Sequence, residues 1–395
     1  MIRFVMLLCV VMLAAACGAK KPTALSNDTT PAPPRKPVIV WLDESFQRQQ
    51  GASLAQWMAD AHAAGVTHVA FEARDASGVF IDPQKKSAAR AAASAAGLRI
   101  AAVLPLFVAE QNTPDSLLSQ RAVWNGNAFE SNTGDGKTPR RLSPVVTANR
   151  QREADAVRVL ASDDRADYII VSGCGFEDTL ADLSPAAREA YESWAGISTL
   201  RWPLEIIGEN PGYAPIGPAG RGPLWSNWML WRATNMRDFL FSLREAVNVA
   251  PGGAHAQLVV LVDAPYPAHQ REGLNWAGAQ STAISDFAWL GSAYKGTAAG
   301  HLVDVVALGF WKTALTAEDA QRDGDAWWSS IEGASAAARK YLPPETKRWG
   351  AIVMGQNENW RAAASRAYQL NDGLILIGAK NLQSAGELKD ALSVR

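Results

Sequence analysis

Carboxylates stand at or just past the ends of most short β-branched runs in this chain, and tryptophans lie beside several of them. Asp43 and Glu44 follow Val38–Leu42, Glu72, Arg74 and Asp75 follow Val66–Phe71, and Glu110 follows Leu98–Leu104. Farther on, Glu177 and Asp178 come after Asp167–Val171, and Asp263 comes after Leu258–Val262. Trp311 and Lys312 follow Val303–Leu308; Gln356, Glu358 and Trp360 follow Ala351–Met354. Two carboxyl groups flanking a glycosidic bond can serve as proton donor and as nucleophile or base. Aromatic faces cover the C–H face of a sugar ring while polar groups read its hydroxyls. The pattern therefore points to carbohydrate chemistry. Glu177 is the expected general acid with Asp178 as its substitute, Glu358 the nucleophile or base, and Asp263 a third carboxylate. Asp43, Glu72 and Arg74 are expected to position hydroxyls, and Trp311 and Trp360 to stack on rings.

Each of these residues also has a plainer use. Arg74 between Glu72 and Asp75 suits a strand-end ion pair. Asp263, before Ala264-Pro265, suits a turn, and Glu177 and Asp178 suit the start of a helix. Trp225, Trp228 and Trp231 have helical spacing, which predicts one packed face rather than a sugar platform.

The elements that must position these groups are clearest between Ala166 and Trp194. Asp167–Val171 is a short apolar run of the kind buried on both faces of a parallel sheet. Ser172-Gly173-Cys174-Gly175 breaks it, and Ser184-Pro185 opens a helix with a capping serine and proline at its first position. The same alternation recurs along the chain, with a last run at Leu374–Ile377. Helices are predicted over Ser53–Ala64, Lys85–Ala96, Asn149–Ala161, Ser184–Trp194 and Trp228–Val249, then over Gln280–Lys295, Asp325–Tyr341 and Trp360–Leu370. Strands alternating with helices predict an α/β fold with a parallel sheet, and roughly eight units close a (β/α)8 TIM barrel. An open doubly wound sheet would want a glycine-rich turn after the first strand, and Trp41-Leu42-Asp43-Glu44 is not one. Two long connections, Phe107 to Pro144 and Gly196 to Trp225, are expected to shape a cleft.

Composition narrows the class. With 395 residues, 48% of them hydrophobic, the chain can bury a large core. Its 38 basic and 39 acidic residues leave a net charge of −1, and no basic stripe interleaved with aromatics marks a nucleic-acid surface. Fifteen tryptophans suit a protein that must cover or bind flat apolar surfaces. At the N-terminus, Arg3 precedes an apolar run, Phe4–Leu13, too short to span a bilayer. Leu13-Ala14-Ala15-Ala16-Cys17-Gly18 resembles a bacterial lipobox, which implies lipidation of Cys17 and a membrane anchor; an ordinary secretory signal cut near Ala16 is the alternative. The expected organisation is a signal at 1–16, a lipidated cysteine and flexible tether at 17–37, and one domain at 38–395, held at the cell envelope. Past the signal only Cys174 remains, expected as a buried free thiol, and no Cys/His spacing suggests a metal or cofactor site.

Several stretches carry a family likeness through their order: Val38-Ile39-Val40-Trp41-Leu42-Asp43, then Ala64 to Arg74, then Leu142-Ser143-Pro144, then Leu183 to Trp194 with Trp202-Pro203 and Trp228-x-x-Trp231-Arg232. Together they resemble the bacterial glycoside-hydrolase-family-10-like lipoproteins, from about Val38 to Lys312. The resemblance implies a (β/α)8 barrel and hydrolysis of cell-wall or extracellular polysaccharide without a metal. Members usually end the fourth strand with aspartate and carry an arginine three residues on. Here those positions hold Ser172 and Gly175. Either the acid has moved to Glu177 or Asp178, or the protein is a catalytically inactive, glycan-binding surface lipoprotein.

Overall fold

Every β-branched run forms a strand, and these strands close on themselves. The computed structural model describes residues 36–43, 54–75, 77–124, 129–132, 140–163, 166–198, 201–208, 220–252, 255–281, 288–312, 314–356, 358–379 and 385–392. Its strands are β1 (Val38–Leu42), β2 (His68–Glu72), β3 (Arg99–Pro105), β4 (Arg121–Trp124) and β5 (Phe129–Asn132). They continue with β6 (Ala166–Ser172), β7 (Gln257–Asp263), β8 (Val305–Gly309), β9 (Lys347–Val353) and β10 (Gly373–Ile377). Except for β4 and β5, all are parallel, in the ring order β1-β2-β3-β6-β7-β8-β9-β10, with β10 returning to β1 through the register Val38↔Leu374 to Trp41↔Ile377. This is the closed eight-stranded (β/α)8 barrel that the alternating pattern predicts. β4 and β5 form a separate antiparallel ribbon inside the long connection after β3.

Period-two alternation divides each strand between two cores. Ile39, Ala70, Val103, Ile170, Val259 and Trp349 belong to the cluster that fills the barrel. Val38, Val69, Ala102, Ile169, Leu258 and Ile352 belong to the larger cluster shared with the helices. Both faces are covered, which is why the strands read as near-continuous apolar runs.

The helices include α1 (Leu54–Ala63), α2 (Ser87–Ala95), α3 (Thr147–Ala161), α4 (Pro185–Ala195), α5 (Trp225–Asn248), α6 (Ile331–Tyr341), α7 (Trp360–Leu370) and α8 (Glu387–Leu392). Helix α4 starts as its sequence predicts: Ser184 Oγ accepts from the Ala187 N–H, Pro185 follows, and Gly196 ends the helix at φ 67°. On α5, Trp225, Trp228 and Trp231 are buried, and the last two stack with ring centroids 4.6 Å apart. The tryptophan triplet is core.

Asp325–Tyr341 is α-helical only from Ile331, after a 3-10 turn at Trp327–Ser329, and the helix predicted at Gln280–Lys295 does not form as drawn. In the described part of Gln280–Lys295 the chain makes short 3-10 turns, Ala288–Leu290 and Ser292–Thr297, around Gly291 at φ 76°. A left-handed glycine cannot continue an α-helix, and the apolar Leu290 and Tyr294 are buried from these short turns instead.

The N-terminal end of the barrel is sealed. The Tyr168 ring meets Trp349 edge-on at 4.7 Å and His68 at 5.0 Å. Asp167 Oδ2 takes Arg99 Nε at 2.7 Å and lies 3.3 Å from His68 Nε2. Lys36, the first described residue, donates to the carbonyls of Tyr368, Gln369 and Asn371 at the end of α7. Among the described residues, no helix is long and apolar enough to cross a membrane. The expected signal and the expected lipidation site, Cys17, lie outside those residues.

Candidate active site

At the C-terminal end of the barrel, β7 and β8 set out the first part of the site. Asp263 ends β7, next in register to Gly309 at the end of β8, and is 7% exposed. A Cβ at Gly309 would lie 2.2 Å from Cζ2 of Trp311. The missing side chain is what lets the indole fold back over the strand end. From there Trp311 Nε1 donates to Asp263 Oδ1 at 2.5 Å, while the indole stays 37% exposed. Arg271, on the connection after β7, pairs with Asp263 Oδ2. Two donors thus converge on the oxygens of one strand-end carboxylate, in the arrangement an ionised acceptor takes.

A second carboxyl group, Glu272, stands on the connection after β7 where it meets the loop after β6. Phe176 N donates to the Glu272 carbonyl at 2.8 Å, so the acidic loop after β6 is bonded to the connection after β7. A Cβ at Gly175 would sit 2.5 Å from that carbonyl and 2.8 Å from Glu272 Cβ. Gly175 is therefore required by the close approach, and the arginine expected at this position has no room. A guanidinium still reaches the loop: Arg141 Nη2 donates to the Gly173 carbonyl at 2.9 Å. Burial pushes the Glu272 carboxyl up to about 7, against the opposing pull of Arg271 and Arg141. Arg141 also lies within electrostatic reach of Glu177. Cys174 is buried beneath this cluster, and burial drives its thiol far above the ordinary range, so it stays protonated.

Across the mouth, Glu72 ends β2 and accepts from the indole N–H of Trp41 on β1 at 3.0 Å; Asp43, half-buried, follows β1. Glu177 and Glu358 are both exposed, a few residues past the ends of β6 and β9. They therefore share the C-terminal end of the barrel, with β7 and β8 between their strands.

Two expected site residues, Arg74 and Trp360, are buried away from the mouth, and a third, Asp178, is tied into the loop after β6. Arg74 is 3% exposed, donates to the Pro105 carbonyl at 2.7 Å and pairs with the fully buried Glu153 of α3. Glu153 also accepts from Phe107 N at 3.2 Å, where the chain turns at φ 57°. The pair holds the end of β3, and Arg74 has no surface left with which to bind sugar hydroxyls. Trp360 is 3% exposed and packs with Ala363, Ala364 and Ala367 on the buried face of α7, so its ring offers no open face for stacking. Asp178 accepts from Leu180 N at 2.6 Å and pairs with Arg121 Nε at 2.8 Å, which fixes the loop. Conversely, Arg141, Arg271 and Glu272 were not expected. They lie well outside the residues next to strand ends, and only the folding-back of the connections brings them to the mouth. Among the described residues, no group of three or more His, Cys, Asp or Glu is gathered to hold a metal ion.

No protein-family model matches the chain, and no curated protein matches it. Solved structures do. The PgaB (BpsB) glycoside hydrolase domain from Bordetella bronchiseptica is similar at 17% identity and a TM-score of 0.54, over 92% of this chain and 100% of that one. The catalytic domain of β-amylase from Paenibacillus polymyxa is similar at 11% identity and a TM-score of 0.59, over 91% and 98%. A β-galactosidase from the psychrophilic Marinomonas ef1 follows at 10% identity and a TM-score of 0.54, over 91% of this chain and 59% of that one. At such identities the likeness is one of architecture: the chain has the (β/α)8 barrel on which these glycosidases are built.

Proposed function

We propose that the protein is a glycoside hydrolase acting on cell-wall or extracellular polysaccharide, with its reaction at the mouth formed by β6, β7 and β8. The observation that carries this reading is Asp263, held by Trp311 and Arg271, with the half-buried Glu272 next to Arg271 in the chain on the same connection. A proton donor must keep its proton near neutral pH, and burial is how a protein arranges that. Glu272 has that environment, whereas Glu177, the acid expected from sequence, is exposed. In this mechanism a sugar ring rests on the open face of Trp311. Glu272 gives its proton to the glycosidic oxygen as the bond to the anomeric carbon breaks. Asp263 supplies electrons at that carbon, directly or by taking a proton from the attacking water. The hydroxyl of water ends on the anomeric carbon, and the other water proton restores the acid. Glu72, Asp43, Glu177 and Glu358 are rim carboxylates that accept from sugar hydroxyls. The N-terminal signal fits an envelope protein anchored through Cys17, which puts the site next to such polymers.

Glu272→Gln and Asp263→Asn test the assignment. Each is expected to lower hydrolysis by about 10²–10⁴-fold with an unchanged melting temperature. Full hydrolysis by either variant removes that residue from the mechanism. Glycan binding without cleavage by the unaltered protein selects the non-catalytic glycan-binding reading, to which Ser172 and Gly175 also point.

A further inference from the structure

Apart from the mouth, the C-terminal face carries a cavity of about 520 Å³, within the roughly 300–1,000 Å³ of small-ligand sites. Ser77 and Val79 on the connection after β2 form one wall, residues 110–117 after β3 form another, and the first turns of α3 close it. Its walls are stapled in place. Arg140 Nη2 donates to the carbonyls of Gln111 at 2.7 Å and Thr113 at 3.2 Å, while Nη1 lies 3.4 Å from Asp115 Oδ1. Arg152 Nη2 donates to the Gly78 carbonyl at 3.0 Å and pairs with Glu110 at 3.3 Å. Asn149, 3% exposed, donates to the carbonyls of Leu117 and Ser143. The backbone polar groups of the long β3 connection are thus bound from behind, and a preformed hollow needs little ordering when it fills.

We propose that this cavity is a second carbohydrate-binding site, which holds a unit of the same polysaccharide away from the reacting bond. The inference rests on the reading of the mouth as a carbohydrate site. The chemistry of the lining suits a sugar. Glu110 accepts and Arg152 donates from adjacent positions, and Gln111 and Asn112 add amides, the mixture that reads neighbouring hydroxyls. Val79, 44% exposed, and Leu117 offer an apolar strip to the C–H face of a ring. A physical link to the mouth also exists. Arg152 lines the cavity, and the next residue, Glu153, holds Arg74 and the Phe107 N–H at the end of β3. A chain bound at both places gains affinity through effective concentration, without any new contact at the mouth.

The test compares the unaltered protein, Ala148→Trp, the double variant Gln111→Ala/Asn112→Ala and Trp311→Ala on an array of defined disaccharides and octasaccharides, with melting curves beside them. Ala148 is exposed on the first turn of α3, so the added indole fills the cavity without entering the core. The double variant changes only lining side chains and reads the site if the bulkier one disturbs folding. Octasaccharide affinity about tenfold weaker in both cavity variants, with disaccharide binding unchanged and Trp311→Ala weakening both, supports the proposal. Octasaccharide binding equal to the unaltered protein in both cavity variants, with loss in Trp311→Ala, overturns the second site and leaves the mouth. Absence of any glycan binding by the unaltered protein overturns both.

Discussion

The two ends of the barrel use the same device and reach opposite results. At each end a strand glycine makes room for a tryptophan. Gly373 of β10 lies opposite Trp349 of β9, and a Cβ there would come within 2.5 Å of the indole nitrogen. Gly309 does the same for Trp311 at the other end. Each tryptophan has polar groups nearby: His68, Asp167 and Arg99 by way of Tyr168 at the floor, Asp263 and Arg271 at the mouth. Yet Trp349 is fully buried and Trp311 is 37% exposed. The floor spends its aromatic surface on closing the barrel. The mouth leaves a face open beside a carboxylate, and that leftover surface is what a ligand can use.

The sharpest way to divide the two ends is by pH. Hydrolysis is expected to fall as pH rises through about 7, where Glu272 loses its proton, and Glu272→Gln should abolish that limb along with most of the rate. A rate that stays level from neutral to alkaline pH would break the assignment of Glu272 as acid. Next in size, Trp349→Ala is expected to cost about 3–5 kcal/mol of stability by denaturant unfolding, because it empties the sealed floor. Trp311→Ala should leave stability within about 1 kcal/mol and act on glycan affinity. Equal destabilisation by the two changes would mean that the mouth tryptophan is core after all.

The smallest effect belongs to the floor histidine. His68 is held down to about 4, by burial first and then by Arg99, against the opposing pull of Asp167. Its folded value lies below the ordinary 6.5, so the unfolded chain takes the proton first as pH falls. The stability tied to keeping His68 neutral is present above about 6.5 and is lost as pH falls towards about 4. Unfolding curves across that window should show the decline, and His68→Gln should flatten it. An unchanged slope in the variant would show that other groups dominate acid sensitivity.

Much of the barrel was legible because its strands are buried on both faces. Runs such as Asp167–Val171 and Leu258–Val262 stand out as apolar and β-branched whatever packs on them. Ser184-Pro185 was equally readable, since capping is settled within one turn. Asp263 and Trp311 could be picked out for the same local reason, as the residues that follow buried strands. Gln280–Lys295 misleads because its apolar spacing suits a helix, while Gly291 and the burial of Tyr294 favour short turns.

What the sequence determined by itself is the periodic part: strands, helices, their alternation and the end of the barrel at which carboxylates gather. That information is local, since each strand or cap depends on residues within a few positions. Tertiary structure alone decided which charged groups meet. Arg74 looked like a strand-end ligand but is taken by Glu153, distant in sequence. Arg141 comes to the β6 loop where Gly175 leaves no room for an arginine, and Glu272 gains its raised carboxyl from burial by that loop. Ionisation depends on the dielectric surroundings and the neighbouring charges, and both are set by long-range packing that no short window of residues contains.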